Sequence, residues 1–203
     1  DSGICKFLRE TFPDLNLIEG DALSVKWPLC NKFVANIPYQ ISSPLLEIIT
    51  RNRSIKQVVI LVQEEFAERL VVEWESDRGS LGMCTMLDWD CAIETRVGPH
   101  CFTPSPKVHS CLVSMTRKSP PKNSKLAKLL IRQAFGQRRK KLRNTLAKAP
   151  KRIARVSGWH AKAYRDAMQH LDFDLLDERP EDLEIEDWLE LARLLEDARE
   201  AMG

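Results

Sequence analysis

The chain of 203 residues is long enough to bury a hydrophobic core, as one large domain or two small ones. Apolar residues make up 43% of it, but no apolar run approaches the roughly 18 residues that a helical membrane span needs. The net charge is +2, and the cysteines and histidines lie singly, which argues against a disulfide framework and against a metal site.

Strands and helices alternate along the first part of the chain, which predicts an α/β sheet layer. QVVILVQ is a continuous apolar run rich in β-branched residues, typical of a strand buried on both faces of a parallel sheet. Ser42 as N-cap and Pro44 in the first turn predict the start of one helix. The predicted elements are, in chain order, helix ICKFLRETF, strand LNLIEGDAL, strand KFVAN, helix SSPLLEIIT, strand QVVILVQ, helices EEFAERLVVEW and GSLGMCTMLDW, and strands AIETRV and VHSCLVSM.

The second part of the chain follows a joint rich in proline and lysine, RKSPPKNS, at residues 117–124. Only helical patterns come after it, namely LAKLLIRQAF, KLRNTLA, AKAYRDAMQHL and IEDWLELARLLEDA. We therefore predict a first domain over residues 1–118 and a small helical domain over residues 119–203.

Positive charge is concentrated in one long stretch. No acidic residue occurs between Glu94 and Asp166, while residues 95–165 contain 19 Lys and Arg. A stretch of this length that carries only positive charge indicates binding to a polyanion such as nucleic acid. The alternative is a helix face that is only solvated. The segment from Asp166 to Glu200 contains 14 acidic residues and is interpreted as solvated surface.

Three motifs occupy places where an α/β sheet binds ligands, the carboxyl ends of its strands. EGDA, residues 19–22, and NIPY, residues 36–39, follow predicted strands, and FTPSPKV, residues 102–108, leads into the last strand. EGDA could instead be an ordinary turn. The phenylalanine of FTPSPKV could instead be a hydrophobic plug. NIPY is the most specific, because it brings an amide, two backbone carbonyls without a helical partner and a flat ring to one corner.

The order of these motifs resembles the KsgA-type ribosomal RNA adenine N6,N6-dimethyltransferases, which use S-adenosyl-L-methionine. The resemblance rests on EGDAL, NIPYQISSPLL, LVQEEFAERLV, CFTPSPKVHS and RQAFGQRRKKLRNTL. The 23S rRNA methylases share the NIPY loop, but the later motifs are more similar to the ribosome-maturation branch. The resemblance implies a catalytic domain over residues 1–118, with a Rossmann-like methyltransferase sheet of the α/β class. It also implies a small C-terminal α-helical domain over residues 119–203 that binds rRNA.

The resemblance also implies roles for single residues. An exocyclic adenine amine is a poor nucleophile, and acceptors on its N–H groups aim its lone pair at the methyl group. The Asn36 side chain and the Pro38 carbonyl would accept these bonds, while Tyr39 and Phe102 would stack on the base. The implied residues are Asn36, Ile37, Pro38, Tyr39 and Phe102 for catalysis; Asp21, Ala22 and Asn36 for the cofactor; and Lys107, Arg138, Arg139, Lys140, Lys141 and Arg143 for RNA.

Family members begin with a strand and a Gly-rich loop that this sequence lacks, and Met86 stands where the family often has Gln. We therefore expect a methyltransferase domain that is incomplete at its N-terminus and inactive by itself. The alternatives are a non-catalytic RNA-binding assembly factor and, more weakly, an adenine methylase acting on DNA or 23S rRNA.

The substrate that the resemblance implies is a pair of adjacent adenines in a hairpin loop near the 3′ end of small-subunit rRNA, within a pre-ribosomal particle. Monomethylation and dimethylation both stay open. We expect a monomeric, cytoplasmic protein, with an organelle as the alternative location.

Overall fold

The sheet determines where ligands can bind. The computed structural model describes residues 2–171 and 174–202. Four strands form one mixed sheet in the order β1-β2-β4-β3, with β1 at Lys32–Asn36, β2 at Gln57–Gln63, β3 at Trp89–Val97 and β4 at Ser110–Arg117. β1 is parallel to β2, and β4 is antiparallel to both β2 and β3. The carboxyl ends of β1, β2 and β3 therefore meet at one edge of the sheet.

The helices follow the predicted segments. Among the described residues, the α-helices are α1 (Ser2–Thr11), α2 (Ser42–Arg51), α3 (Glu64–Val71), α4 (Ser80–Met86), α5 (Ser124–Phe135), α6 (Leu142–Thr145), α7 (Ala161–Gln169) and α8 (Ile185–Ala201). The predicted α/β class is confirmed by this arrangement. None of the helices in the described ranges is long and apolar enough to cross a bilayer.

Apolar side chains form two core clusters. The first joins the sheet to α2 and α3 through residues such as Leu46, Ile60 and Phe66. The second joins α4, α5, α7 and α8 around Leu130 and Trp188. Each fully buried large side chain contributes about 1.5–3 kcal/mol. Because α4 belongs to the second cluster, apolar contacts cross the predicted boundary at residue 118, and the two-domain division stays a prediction.

The predicted strand over LNLIEGDAL is wrong. Residues 12–31 contain no strand, and their backbone forms local bonds instead, such as Leu15 N to Phe12 O at 3.0 Å and Val25 N to Asp21 O at 2.9 Å. An extended segment becomes a strand only when a neighbouring backbone pairs with it, and no strand among the described residues pairs with residues 15–23.

Three smaller predictions are corrected. The strand QVVILVQ is parallel to only one neighbour, because β4 joins its other side in the antiparallel sense. Ser42 is not the N-cap of α2, because the 3₁₀ turn Tyr39–Ile41 leads directly into the helix and makes Ile41 the N-cap. Of the predicted helix KLRNTLA, only Leu142–Thr145 is α-helical.

Candidate functional site

The NIPY segment begins at the carboxyl end of β1, as predicted. Asn36 is the last residue of the strand, and its side chain is exposed. The next residue anchors the loop, since the Ile37 amide donates to the Leu61 carbonyl at 3.2 Å and its side chain is 1% exposed. The Pro38 carbonyl accepts from the Ile41 amide at 3.0 Å. The expectation that this carbonyl lacks a helical partner is therefore wrong, although its second lone pair is available.

The Tyr39 ring is held across the sheet edge by a residue that the sequence reasoning missed. The Tyr39 hydroxyl lies 2.8 Å from the Ser110 Oγ. Ser110 is the first residue of β4, is 0% exposed and lies opposite Gln63 of β2 and Val97 of β3. The only sequence signal for Ser110 was its place at the end of the CFTPSPKVHS motif.

Phe102 follows β3 at the same edge. A 3₁₀ turn over Pro99–Cys101 leads to it, its amide donates to the Pro99 carbonyl at 3.2 Å, and the Ser105 Oγ donates to the same carbonyl at 2.9 Å. The Tyr39 hydroxyl contacts Ser110, and Ser110 is paired with Val97, the last residue of β3. The NIPY loop and the Phe102 loop thus flank one corner of the sheet.

A second set of contacts ties the strand ends together beside this corner. The Arg96 Nε donates to the Glu64 Oε1 at 2.8 Å, and the Glu64 amide donates to the His109 carbonyl at 3.1 Å. The hydrogen bond with Glu64 raises the pKa of Arg96. These contacts link the ends of β2 and β3 to the segment that enters β4, so that the loops start from fixed positions.

Comparison with known proteins shows the family to which the chain belongs. Residues 1–162 match the family model described as ribosomal RNA adenine dimethylase. The chain belongs to that family. The predicted family, the enzyme class of an S-adenosylmethionine-dependent rRNA methyltransferase and the cofactor are thereby confirmed.

Individual relatives of this adenine dimethylase family member agree with the family assignment. The probable ribosomal RNA small subunit methyltransferase A of Thermococcus kodakarensis is 33% identical over 206 residues, covering 97% of this chain and 72% of that protein. The ribosomal RNA small subunit methyltransferase A of a Synechococcus species is 34% identical over 208 residues, covering 96% and 70%.

Two solved structures share the fold. A dimethyladenosine transferase from Plasmodium falciparum superposes with a TM-score of 0.69 at 28% identity, covering 94% of this chain and 78% of that one. The 23S rRNA methyltransferase ErmE superposes with a TM-score of 0.63 at 23% identity, covering 97% and 79%, and supports the Rossmann-like fold alone.

The dimethylase's candidate cofactor residues lie on an ordered turn. The Asp21 Oδ1 accepts from the Leu23 amide at 3.0 Å and its Oδ2 from the Ser24 Oγ at 2.9 Å, and these bonds lower the pKa of Asp21. The Ala22 carbonyl accepts from the Trp27 Nε1 at 2.8 Å. The Trp27 ring stacks on Phe33 of β1 at a centroid distance of 5.1 Å, which fixes the turn beside the strand that carries the NIPY motif.

These residues fit the cofactor. An ionised carboxylate whose oxygens each retain a lone pair can accept a hydrogen bond from an exocyclic amine. Asp21 is exposed and available for such a bond. The Asn36 amide is exposed at the strand end and offers both a donor and an acceptor.

The predicted RNA-binding residues divide into two groups. Arg138 pairs with Glu181, and Lys141 and Arg143 pair with Asp177 at 3.3 and 2.5 Å. Within the described part of the chain no ion pair joins the other three to an acidic residue, and all three are exposed: Lys107, Arg139 and Lys140. The interpretation of the acidic stretch as mere solvated surface is wrong for Asp177 and Glu181, because they neutralise part of the basic run.

Proposed function

We propose that this small-subunit rRNA adenine dimethyltransferase acts on two adjacent adenines of a hairpin loop near the 3′ end of the rRNA, during ribosome biogenesis. The observation that carries the proposal is the corner formed by the NIPY loop, with the Tyr39 ring fixed to Ser110, and by the Phe102 loop. We further propose that the substrate is a pre-ribosomal particle and that the protein acts as a monomer in the cytoplasm.

The corner suits an adenine that has left its stack. Base-modifying enzymes extrude their target base, and stacking on an aromatic ring contributes about 1–3 kcal/mol per base. Tyr39 would offer one flat face, and Phe102, at the end of the neighbouring loop, would cover the other. The hydroxyl of Tyr39 is engaged with Ser110, so the ring has little freedom to rotate away from the base.

The amine would be oriented by two acceptors. The Asn36 side-chain oxygen takes one N–H group, and the Pro38 carbonyl takes the other with the lone pair that Ile41 leaves available. Neither acceptor is a base at neutral pH, so their contribution is alignment, and the released proton passes to solvent. The cofactor supplies an electrophilic methyl group, and Asp21 and Asn36 would hold it.

The test of this function is Asn36→Ala in the full-length protein. Because Asn36 is exposed and at a strand end, the change should leave the fold and RNA binding nearly intact while methyl transfer falls by more than tenfold, equivalent to about 1.4 kcal/mol. Asn31→Ala is the matched control, since Asn31 is also an exposed asparagine and lies just before the opposite end of β1.

Methyl transfer to small-subunit particles, followed with a radiolabelled methyl donor, is the measurement. If Asn36→Ala retains more than about a tenth of wild-type turnover, the role assigned to Asn36 is wrong. A full-length wild-type protein that binds the particles without methylating them would support the assembly-factor alternative instead.

A further inference from the structure

A basic groove lies on the helical part of the molecule, away from the NIPY corner. It has a volume of about 800 Å³ and opens between the end of α5, α6 and the segment that follows α6. Its lining contains five basic side chains and no acidic one. The basic residues are Arg132, Lys140, Lys148, Lys151 and Arg152.

Hydrogen bonds to the backbone hold the walls of the groove in place. The Gln133 Nε2 on α5 donates to the carbonyls of Thr145 and Lys148, at 2.9 and 2.5 Å, and so holds the far wall in place. Behind that wall the buried Tyr164 hydroxyl donates to the Leu146 carbonyl at 2.9 Å. The backbone that carries the basic residues is therefore fixed before any ligand arrives.

The charge of the groove is not compensated from within. All five basic side chains are exposed, and in the ranges that the structure describes none of them forms an ion pair. The neighbouring basic run is compensated in part, because its Arg138, Lys141 and Arg143 are paired with Asp177 or Glu181. Like charges that share a concave surface repel one another, and an anion with several charges relieves that repulsion.

We infer that this groove, which shares Lys140 with the predicted basic run, binds the phosphodiester backbone of the substrate RNA. The inference rests on the proposed function for the identity of the polyanion. The lining contains no aromatic residue on which a base could stack, while the amides of Gln137 and Asn144 can donate to phosphate or to a 2′-hydroxyl. Such contacts give affinity and register without reading sequence.

The experiment removes charge from the groove wall. The variant Lys148→Gln, Lys151→Gln, Arg152→Gln changes three exposed side chains of the segment that lines the groove. Its matched control is Lys122→Gln, Lys125→Gln, Lys162→Gln, which removes equal charge from exposed lysines of the same acid-free stretch outside the groove. Binding of a 3′-terminal fragment of small-subunit rRNA is measured by fluorescence anisotropy across a salt series.

The groove variant should lose at least tenfold in affinity at about 50 mM salt, and its log–log salt slope should fall by about 2 to 3 units, because each phosphate contact contributes about 0.7 to 0.9. The control should stay within about twofold of wild type. The charge-preserving variant Lys148→Arg, Lys151→Arg, Arg152→Lys should restore both affinity and slope, which separates lost charge from a damaged fold.

Several outcomes would overturn the inference. An unchanged slope in the groove variant, or an equal loss in the control, would show that the groove makes no dedicated phosphate contacts.

Methyl transfer keeps this test separate from the proposed function. A wild-type protein that methylates RNA while the groove variant binds normally refutes the groove alone. A full-length wild-type protein that shows the groove-dependent binding without methylation refutes the function alone.

Discussion

The contact between Tyr39 and Ser110 allows a quantitative test of how the candidate site is held. Tyr39→Phe removes only the hydroxyl, which lies 2.8 Å from the Ser110 Oγ, and keeps the aromatic face. Ser110 is 0% exposed, so its own hydroxyl would be left buried without that partner. An unsatisfied buried hydroxyl costs about 1–3 kcal/mol, and we expect the free energy of unfolding to fall by that amount.

Ser110→Ala should cost less. The half-buried Tyr39 hydroxyl can turn to water, so only the net value of the hydrogen bond, about 0.5–1.5 kcal/mol, is lost. The double variant should be close to Ser110→Ala alone, because with both hydroxyls gone no buried polar group is left without a partner. The double-mutant cycle should therefore give a coupling energy of about 1 kcal/mol or more.

Urea unfolding measures the three free energies, and single-turnover methyl transfer measures the consequence for chemistry. Because the Tyr39 ring is no longer held by Ser110 in either single variant, methyl transfer should slow by about two- to tenfold, which raises the activation free energy by up to about 1.4 kcal/mol. The salt slope of RNA binding should stay unchanged. Additive free energies together with wild-type transfer in both single variants would refute the view that Ser110 positions the ring.

Two further predictions concern contacts between distant parts of the chain. Arg78 is 7% exposed, donates to the Glu181 carbonyl at 3.0 Å and pairs with Glu184. Arg78→Met leaves that carbonyl without its partner and should lower the free energy of unfolding in urea by about 1–3 kcal/mol. Glu184→Gln keeps a side-chain oxygen that can accept from Arg78 and cap α8, so it should cost less than Arg78→Met, and equal effects would contradict this reasoning. Asp177→Asn should raise RNA affinity at low salt and steepen the salt slope, because it releases the two basic residues it pairs with; unchanged affinity in an anisotropy titration would show that these ion pairs do not compete with RNA.

The sequence by itself determined the features that depend on neighbouring residues. The apolar spacing of LAKLLIRQAF predicted α5, and the β-branched run QVVILVQ predicted β2. The order of short motifs predicted the family, and the acid-free stretch predicted a polyanion partner. These signals are local because helix periodicity, strand propensity and charge density are properties of a short window of chain.

Only the tertiary structure decided features that join residues far apart in sequence. Tyr39 and Ser110 are separated by 71 positions, and Arg138 and Glu181 by 43, so no short window contains either pair. The antiparallel placement of β4 between β2 and β3 brings Ser110 to the edge of the sheet where β1, β2 and β3 end. The segment LNLIEGDAL has the apolar content of a strand, but no strand among the described residues pairs with it. Whether a segment pairs as a strand depends on a second backbone segment that is distant in sequence. Whether a basic residue forms an ion pair likewise depends on an acidic residue that is distant in sequence.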